Sequence, residues 1–364
     1  MTDSRIDGGL LGVFPSFDIP GGVQYSGRLA WEGIEDGLGP KHSGAIETYL
    51  FSYGGKHAGQ SSNGDRAIVA SSKPAALLSA VRTRWRVKTI LVWHLALLKL
   101  LPFFRHPDAE IALFLHGIEA WKRQDLLTRT LLKRVSLFLT NSDNTWTQFV
   151  THNSLFRNVN YVKVPLGILS PTITRVGPDS VPAALMIGRL HPDENYKGHK
   201  EMIDIWPVVL KQKADAELWI VGDGELKPKL EQRVASLGLS QRVRFYGWVS
   251  EQRKQELIDN CRFLALPSRG EGFGLVYLEA MRQGRPCLVS DSDAGREVVN
   301  PPEAGLAVNP SRPDAMAEAV CRLLNDSSEW ENWSRQARLR YESHYTAKHF
   351  QDRLVAAIST LNCS

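Results

Sequence analysis

Short apolar runs alternate along this chain with longer stretches of helical spacing. Leu10–Phe17 reads as a buried strand, followed by the turn Asp18-Ile19-Pro20-Gly21-Gly22 and a helical pattern from Val23. Further runs at Ala67–Ala70, Thr89–Trp93, Ile111–Leu115, Ser136–Leu139 and Tyr161–Val164 predict strands, with helical stretches between most of them. Continuous rather than alternating apolar runs mark strands buried on both faces, and strand–helix repetition marks a parallel sheet. Pro165–Pro182 is rich in Pro, Gly, Ser and Thr and reads as a linker. A second series then begins, with strands at Ala184–Ile187, Glu217–Val221, Val243–Tyr246, Phe263–Leu266 and Cys287–Ser290. Helices are predicted near Lys200–Gln212, Glu225–Leu237, Glu251–Asn260 and Gly274–Gln283. The pattern predicts two doubly wound α/β domains, residues 1–168 and 169–344. Such pairs bind ligand in the cleft between them, at the carboxyl ends of the strands.

Composition narrows the class. With 364 residues, 43% hydrophobic and 23% charged, the chain is long enough for two domains and is neither disordered nor collagen-like. The amino terminus lacks a basic patch followed by an apolar run, so no secretory signal is expected. The longest apolar stretch, Thr89–Phe104, contains His94 and Lys99 and is too short to span a bilayer. Cys261, Cys287, Cys321 and Cys363 are scattered without a CxxC, which points to a reducing compartment and away from zinc or disulfides. Charge is uneven: 19 of the 44 Lys and Arg, but only 13 of the 39 Asp and Glu, fall in residues 1–168. A basic amino-terminal half suits an anionic partner. Arg82, Arg84, Arg86 and Lys88 share one face if extended, and Lys122, Arg123, Lys133 and Arg134 lie in a Leu-rich pattern. They read as a solvated face or as a patch for anionic lipid. Nucleic acid is not expected, because no binding module is present and aromatic interleaving is sparse.

The densest chemistry is Glu271-Gly272-Phe273-Gly274-Leu275-Val276-Tyr277-Leu278-Glu279. A glycine loop opening a helix presents free amides at the positive end of the dipole, which suits an anion. Glu279, about one turn in, suits a vicinal diol such as a ribose. Upstream, Gly188-Arg189 and Lys197-Gly198 place two cations after a strand, each of which taken alone reads as a surface charge. Asp291-Ser292-Asp293 formally reads as a DxD metal signature.

The Glu271–Glu279 string resembles the E-x7-E motif of GT-B glycosyltransferases, in particular the retaining family 4. Gly188-Arg189, Lys197-Gly198, the Gly222 turn, Trp248-Val249 and Ser290–Val299 agree with that family in order and spacing. The resemblance is close over about Ala184–Pro310 and weaker elsewhere. It implies a GT-B fold, two Rossmann-like domains facing across a cleft, with a last helix at about 345–364 returning to the first. It implies a retaining, metal-independent hexosyltransferase using a nucleotide diphosphate sugar, with no other cofactor. Arg189 and Lys197 then hold the diphosphate, Glu279 holds the ribose, and Glu271 with the amides of Phe273 and Gly274 faces the sugar. Gly188, Gly222, Trp248, Val249, Gly272, Leu275 and Val276 complete the donor site. In the first half, Gly21 and Gly22 match the family's glycine loop, and His116 stands where a histidine contacts the donor sugar. Asn141-Ser142 ends the next strand and lines the same cleft or only turns the chain; His94 reads as structural. DxD belongs to another glycosyltransferase fold, so Asp291 and Asp293 are not expected to hold metal and Asp293→Ala is expected to retain activity. Bacterial members of the family commonly build surface glycans. The implied acceptor is a lipid-linked sugar or glycan, at a cytoplasmic or inner-membrane location. A nucleotide-sugar epimerase and a non-catalytic nucleotide-sugar-binding subunit remain as alternatives.

Overall fold

The computed structural model describes residues 9–39, 46–54, 66–82, 87–104, 108–170 and 181–361. The chain divides into two compact units, Met1–Gly167 with Ala347–Ser364, and Ile168–Thr346.

In the first unit, β1 (Gly9–Pro15), α1 (Gly22–Gly37), β2 (Thr48–Tyr53), β3 (Ala67–Ala70), α2 (Lys73–Arg82) and β4 (Val87–Val92) come first. A 3₁₀ segment (Leu95–Phe103), β5 (Glu110–Leu115), α3 (Leu126–Leu132), β6 (Leu137–Thr140), α4 (Asp143–His152) and β7 (Tyr161–Lys163) follow. The described strands form one parallel sheet in the order β3-β2-β1-β4-β5-β6-β7, with Leu11 opposite Ile90 and Val13 opposite Val92. The strand order reverses at β1/β4, the position where open α/β sheets collect ligands. Leu11, Val13, Phe51, Val92, Leu113 and Phe138 pack one face. On the other, Phe14 stacks on Trp93 at 5.4 Å and Trp93 meets Phe350 edge-on at 6.2 Å.

Phe350 belongs to the unit's last helix. In the second unit come β8 (Ala183–Ile187), α5 (His199–Gln212), β9 (Glu217–Val221), α6 (Lys227–Ser236), β10 (Val243–Gly247) and α7 (Glu251–Asn260). β11 (Phe263–Leu266), α8 (Leu275–Arg282), β12 (Cys287–Ser290), α9 (Gly295–Val299), β13 (Gly305–Val308), α10 (Pro313–Leu324) and α11 (Ser328–His344) complete it. The described strands again form one parallel sheet, β10-β9-β8-β11-β12-β13, with its reversal at β8/β11. The chain then returns to the first unit as α12 (Ala347–Ser359), where Gln351 Nε2 donates to the Leu29 carbonyl of α1 at 2.9 Å.

The paired doubly wound sheets are those the sequence predicts. Two strands are additional. β2 mixes Thr, Tyr and Ser with its apolar residues, and β13 is four residues led by a glycine, so neither makes an apolar run. The extended reading of the Arg82–Lys88 face does not hold. Arg82 ends α2 and Lys88 lies in β4, while Arg84 and Arg86 fall outside the described residues. Lys122 and Arg123 precede α3 rather than lying in it. Cys261, Cys287 and Cys321 are free and buried; Cys363 lies outside the described residues.

Two buried histidines give the fold a pH signature. Burial holds His116 down to about 4, against the weaker opposing pull of Glu119. Burial, then Lys197, holds His199 down to about 4. Each therefore takes up a proton on unfolding. Their contribution is intact above the unfolded pKa of about 6.5 and is lost as pH falls toward 4. At pH 5 the loss is about 2 kcal/mol per histidine. Urea unfolding at pH 7.5 and 5.0 tests this: His199→Gln should remove one histidine's share of the acid destabilisation. An unchanged difference between the two pH values would exclude the linkage.

Candidate functional site

In the second unit the residues singled out by the sequence gather at the carboxyl ends of β8, β9, β10 and β11. Gly188-Arg189 leaves β8, Gly222 leaves β9, Trp248 follows β10, and the loop 267–274 leads from β11 into α8. Gly222 is tightly confined. Its φ is +137°, and a Cβ there would lie 1.8 Å from the Gly188 carbonyl oxygen, so only glycine lets these two strand ends meet. The Lys197 stem lies against Gly188, where an added Cβ would sit 3.0 Å from Lys197 Cδ.

The two cations meet on a carboxylate that sequence reasoning missed. Glu194 is 7% exposed. Its Oε1 pairs with the Arg189 guanidinium, and its Oε2 lies 2.8 Å from Lys197 Nζ. The cations differ in setting: the Arg189 side chain is 83% exposed and the Lys197 side chain 16%. Arg189 thus pairs with Glu194 from the solvent side, whereas Lys197 is held close against it. The stretch His191–Lys200 is so polar that it reads as solvated surface, and only the placing of an acid between two cations hints at Glu194.

Burial raises the Glu271 carboxyl above the usual range, while Lys197 and the amides of Phe273 and Gly272 pull it down. Its carboxylate is therefore turned toward its own loop and toward Lys197. Gly274, at φ +83°, is the N-cap of α8 and, being glycine, offers no side-chain acceptor of its own to the first turn.

Asp293 has a role that the sequence did not suggest. It is 5% exposed and serves as an internal tie. Oδ2 accepts from the Ser268 hydroxyl and from the Glu271 amide at 3.2 Å, and Oδ1 accepts from the Gly295 amide at 2.9 Å. Burial raises its pKa to about 7, the Ser268 bond opposes, and Glu271 adds to the rise. Oδ2 holds the Glu271 loop and Oδ1 the start of α9, so the expectation that Asp293→Ala retains activity is withdrawn. Among the described residues, no group of three or more His, Cys, Asp or Glu is gathered to hold a metal ion.

Glu279 is not open on both oxygens. Oε1 lies 3.0 Å from Lys254 Nζ, which also reaches Glu251 at 2.8 Å, and Oε2 is buried without a hydrogen-bond partner. A charged partner on one oxygen was not legible in the sequence. Trp248 is 81% exposed at the end of β10.

In the first unit, Gly21 precedes α1 without a side-chain cap, and Gly22 opens it. His116 follows β5 and is buried. Its Nε2 lies 2.6 Å from the Trp93 carbonyl oxygen, which can only accept, so Nε2 carries the hydrogen and Nδ1 is the acceptor. Glu119 accepts from the His116 and Gly117 amides at 2.6 and 3.2 Å, and Asn141 Nδ2 donates to the His116 carbonyl at 2.7 Å. Ser142 caps α4, and His94 Nδ1 accepts from the Ala96 amide at the start of the 3₁₀ segment.

Parts of the chain are similar to known proteins. An alpha-D-kanosaminyltransferase of Streptomyces kanamyceticus is 31% identical over 180 residues, covering 50% of this chain and 46% of that protein. A lipopolysaccharide 1,6-galactosyltransferase of Salmonella typhimurium is 29% identical over 179 residues, 48% of this chain and 49% of that protein. The chain thus spans about half the length of these curated relatives. In fold the likeness runs nearly end to end. The lipopolysaccharide outer core galactosyltransferase WaaB superposes with a TM-score of 0.72 at 19% identity, over 96% of this chain and 99% of that one. Anabaena HepE in complex with UDP gives 0.73 at 16% identity, over 97% and 100%. Residues 181–326, which hold Arg189, Glu194, Lys197, Glu271, Glu279 and Asp293, match the family described as Glycosyl transferases group 1.

Proposed function

We propose that this chain is a retaining, metal-independent glycosyltransferase. It moves a hexose from a nucleotide diphosphate sugar to a hydroxyl of a glycan or lipid-linked acceptor in bacterial surface-glycan assembly. The reading rests above all on Arg189 and Lys197 converging on buried Glu194 beside the Glu271 loop. The named relatives, which are glycosyltransferases, and the UDP bound by HepE support it.

In this reading Lys197, pre-placed, and Arg189, swinging off Glu194, hold the diphosphate. Charge builds on the departing phosphate as the bond from C1 to the phosphate oxygen breaks. Two preorganised cations stabilise it there without a metal. The acceptor oxygen bonds to C1 on the same face, and its proton passes to the departing phosphate oxygen. The start of α8, with glycine as its N-cap, adds the positive end of its dipole. Glu271 orients the sugar. Glu279 holds the ribose, sharing its carboxylate with Lys254.

The test is thermal stabilisation by UDP-, GDP- and ADP-sugars. One donor series at 100 times its Kd should stabilise the protein by about 2.7 kcal/mol. With that donor, Glu279→Gln should weaken binding about tenfold or more, and less with the 2′-deoxyribose analogue. No stabilisation by any nucleotide sugar would overturn the reading. An equal loss with both donors would remove Glu279 from the 2′-hydroxyl.

A further inference from the structure

Two neighbouring residues of α7 clamp it to α8. Lys254 Nζ lies 3.0 Å from Glu279 Oε1, and Gln255 Oε1 accepts from Arg282 Nη2 at 2.6 Å. Glu279 and Arg282 are three residues apart and share one face of α8, the face turned to α7. α7 is itself fixed at its start. There the Ser250 hydroxyl accepts from the Arg253 amide at 3.2 Å, directly after Trp248-Val249. Lys254 therefore rises from a helix that starts beside the end of β10 and reaches across to Glu279.

The contact differs from a loose surface pair. The Lys254 side chain is 18% exposed and that of Glu279 21%, whereas Glu251, the second carboxylate on Lys254 at 2.8 Å, is 89% exposed. An ion pair open to water contributes little, so the Glu279 contact sets where Lys254 stands. Burial works against the ammonium, but Glu279 and Glu251 outweigh it and raise its pKa above the ordinary lysine value, so Lys254 is charged at neutral pH. One atom is left over. Glu279 Oε2 is buried and has no hydrogen-bond partner among the described residues. Buried acceptors in folded proteins are nearly always satisfied, so this oxygen marks a place where a ligand hydroxyl can donate.

We propose that Lys254 is a positioning residue for the donor: by holding Oε1 it fixes the Glu279 carboxylate so that Oε2 alone accepts from the ribose 2′-hydroxyl. The inference rests on the reading that Glu279 holds the ribose, and it turns a two-oxygen contact into a one-oxygen contact. A free glutamate side chain has rotamers to lose on meeting a ligand, and Lys254 removes that freedom beforehand. It also supplies the counter-charge that a largely buried carboxylate needs. A carboxylate free on both oxygens would grip both hydroxyls of the diol. One held by Lys254 grips a single hydroxyl, and the strength of that grip depends on the lysine.

Titration calorimetry of the full chain with UDP, GDP and ADP, each beside its 2′-deoxy and 3′-deoxy forms, decides it. With the ribonucleotide that binds most tightly, Lys254→Met should weaken binding about tenfold. The loss should stay about tenfold with the 3′-deoxy form and shrink to about threefold or less with the 2′-deoxy form. Lys254→Arg should regain most of it. Lys254→Met should add little to Glu279→Gln, because the lysine acts through that carboxylate. Glu251→Gln should leave the affinities unchanged. A purely structural role would lower the melting temperature and weaken all three forms alike. That result, fully additive losses, or tighter ribonucleotide binding by Lys254→Met would overturn the proposal alone, provided Glu279→Gln still weakens binding. No binding of any nucleotide by the wild type, or Glu279→Gln without effect, would remove the ribose reading and the proposal with it.

Discussion

Lys197→Met should lower turnover by about 10²–10³ while the second unit stays folded. That is the scale for removing one preorganised donor from a developing charge. Methionine keeps the stem against Gly188 and removes only the ammonium. Arg189→Ala should fall at the lower end of that range. Its guanidinium is largely exposed and must be drawn off Glu194, so less of its effect is preorganised. Lys197 also lowers the Glu271 carboxyl, so its loss should shift the acid limb of the pH–rate profile upward as well. The measurement is single-turnover kinetics with the donor identified by thermal shift, together with that donor's affinity. Near-wild-type turnover in Lys197→Met, with the fold intact, would refute the diphosphate role.

Asp293→Ala should cost about 3 kcal/mol or more, and activity with it. Three donors, the Ser268 hydroxyl and the amides of Glu271 and Gly295, would lose a buried acceptor, each at about 1–3 kcal/mol. For a unit of this size that is a fall in melting temperature on the order of 10 °C. Asp293→Asn should be milder, because the amide oxygen still serves Gly295 and its nitrogen can donate to the Ser268 oxygen. Only the Glu271 amide is then stranded. Chelation separates this structural tie from a metal ligand. Wild-type activity should survive excess EDTA, whereas an EDTA-sensitive activity restored by manganese would return Asp293 to metal chemistry.

How far the sequence carries the argument depends on what each residue's role rests on. β11 and β12 are apolar runs, Phe263–Leu266 and Cys287–Ser290, whose burial on both faces is written in their composition. The parallel fold follows from such runs. β2 escaped because its Thr, Tyr and Ser become buried only through the neighbours β1 and β3. The same reasoning divides the candidate site. Glycine turns and the start of α8 are local features and can be read along the chain. Lys254 reaches Glu279, and Asp293 reaches Ser268 and the Glu271 amide, only through the tertiary fold, whereas Glu194 pairs with cations three and five residues away and only its burial is hidden from the local pattern. Glu194 and Asp293 are charged residues in polar loops, where pattern predicts exposure, and their burial is compensated only once those partners arrive. Asp293 also shows what a short motif leaves out: the DxD spacing is discounted from its context, but the Ser268, Glu271 and Gly295 partners of its carboxylate cannot be read from it.

The order in which the ribosome releases the chain gives α12 a particular consequence. The second unit is one continuous segment and can complete itself during synthesis. The first unit is not, because the wall against which Trp93 and α1 pack is supplied by Phe350 and Gln351, translated after the entire second unit. Until then the nascent first unit carries an uncovered apolar face, at Trp93 and along α1, for the time needed to make about 180 further residues, roughly 10–40 s at 5–20 residues per second. That interval is a window for chaperone capture. A circular permutant with α12 joined ahead of β1 should shorten it, and the gain in soluble yield without trigger-type chaperones would measure how much the late helix costs the cell.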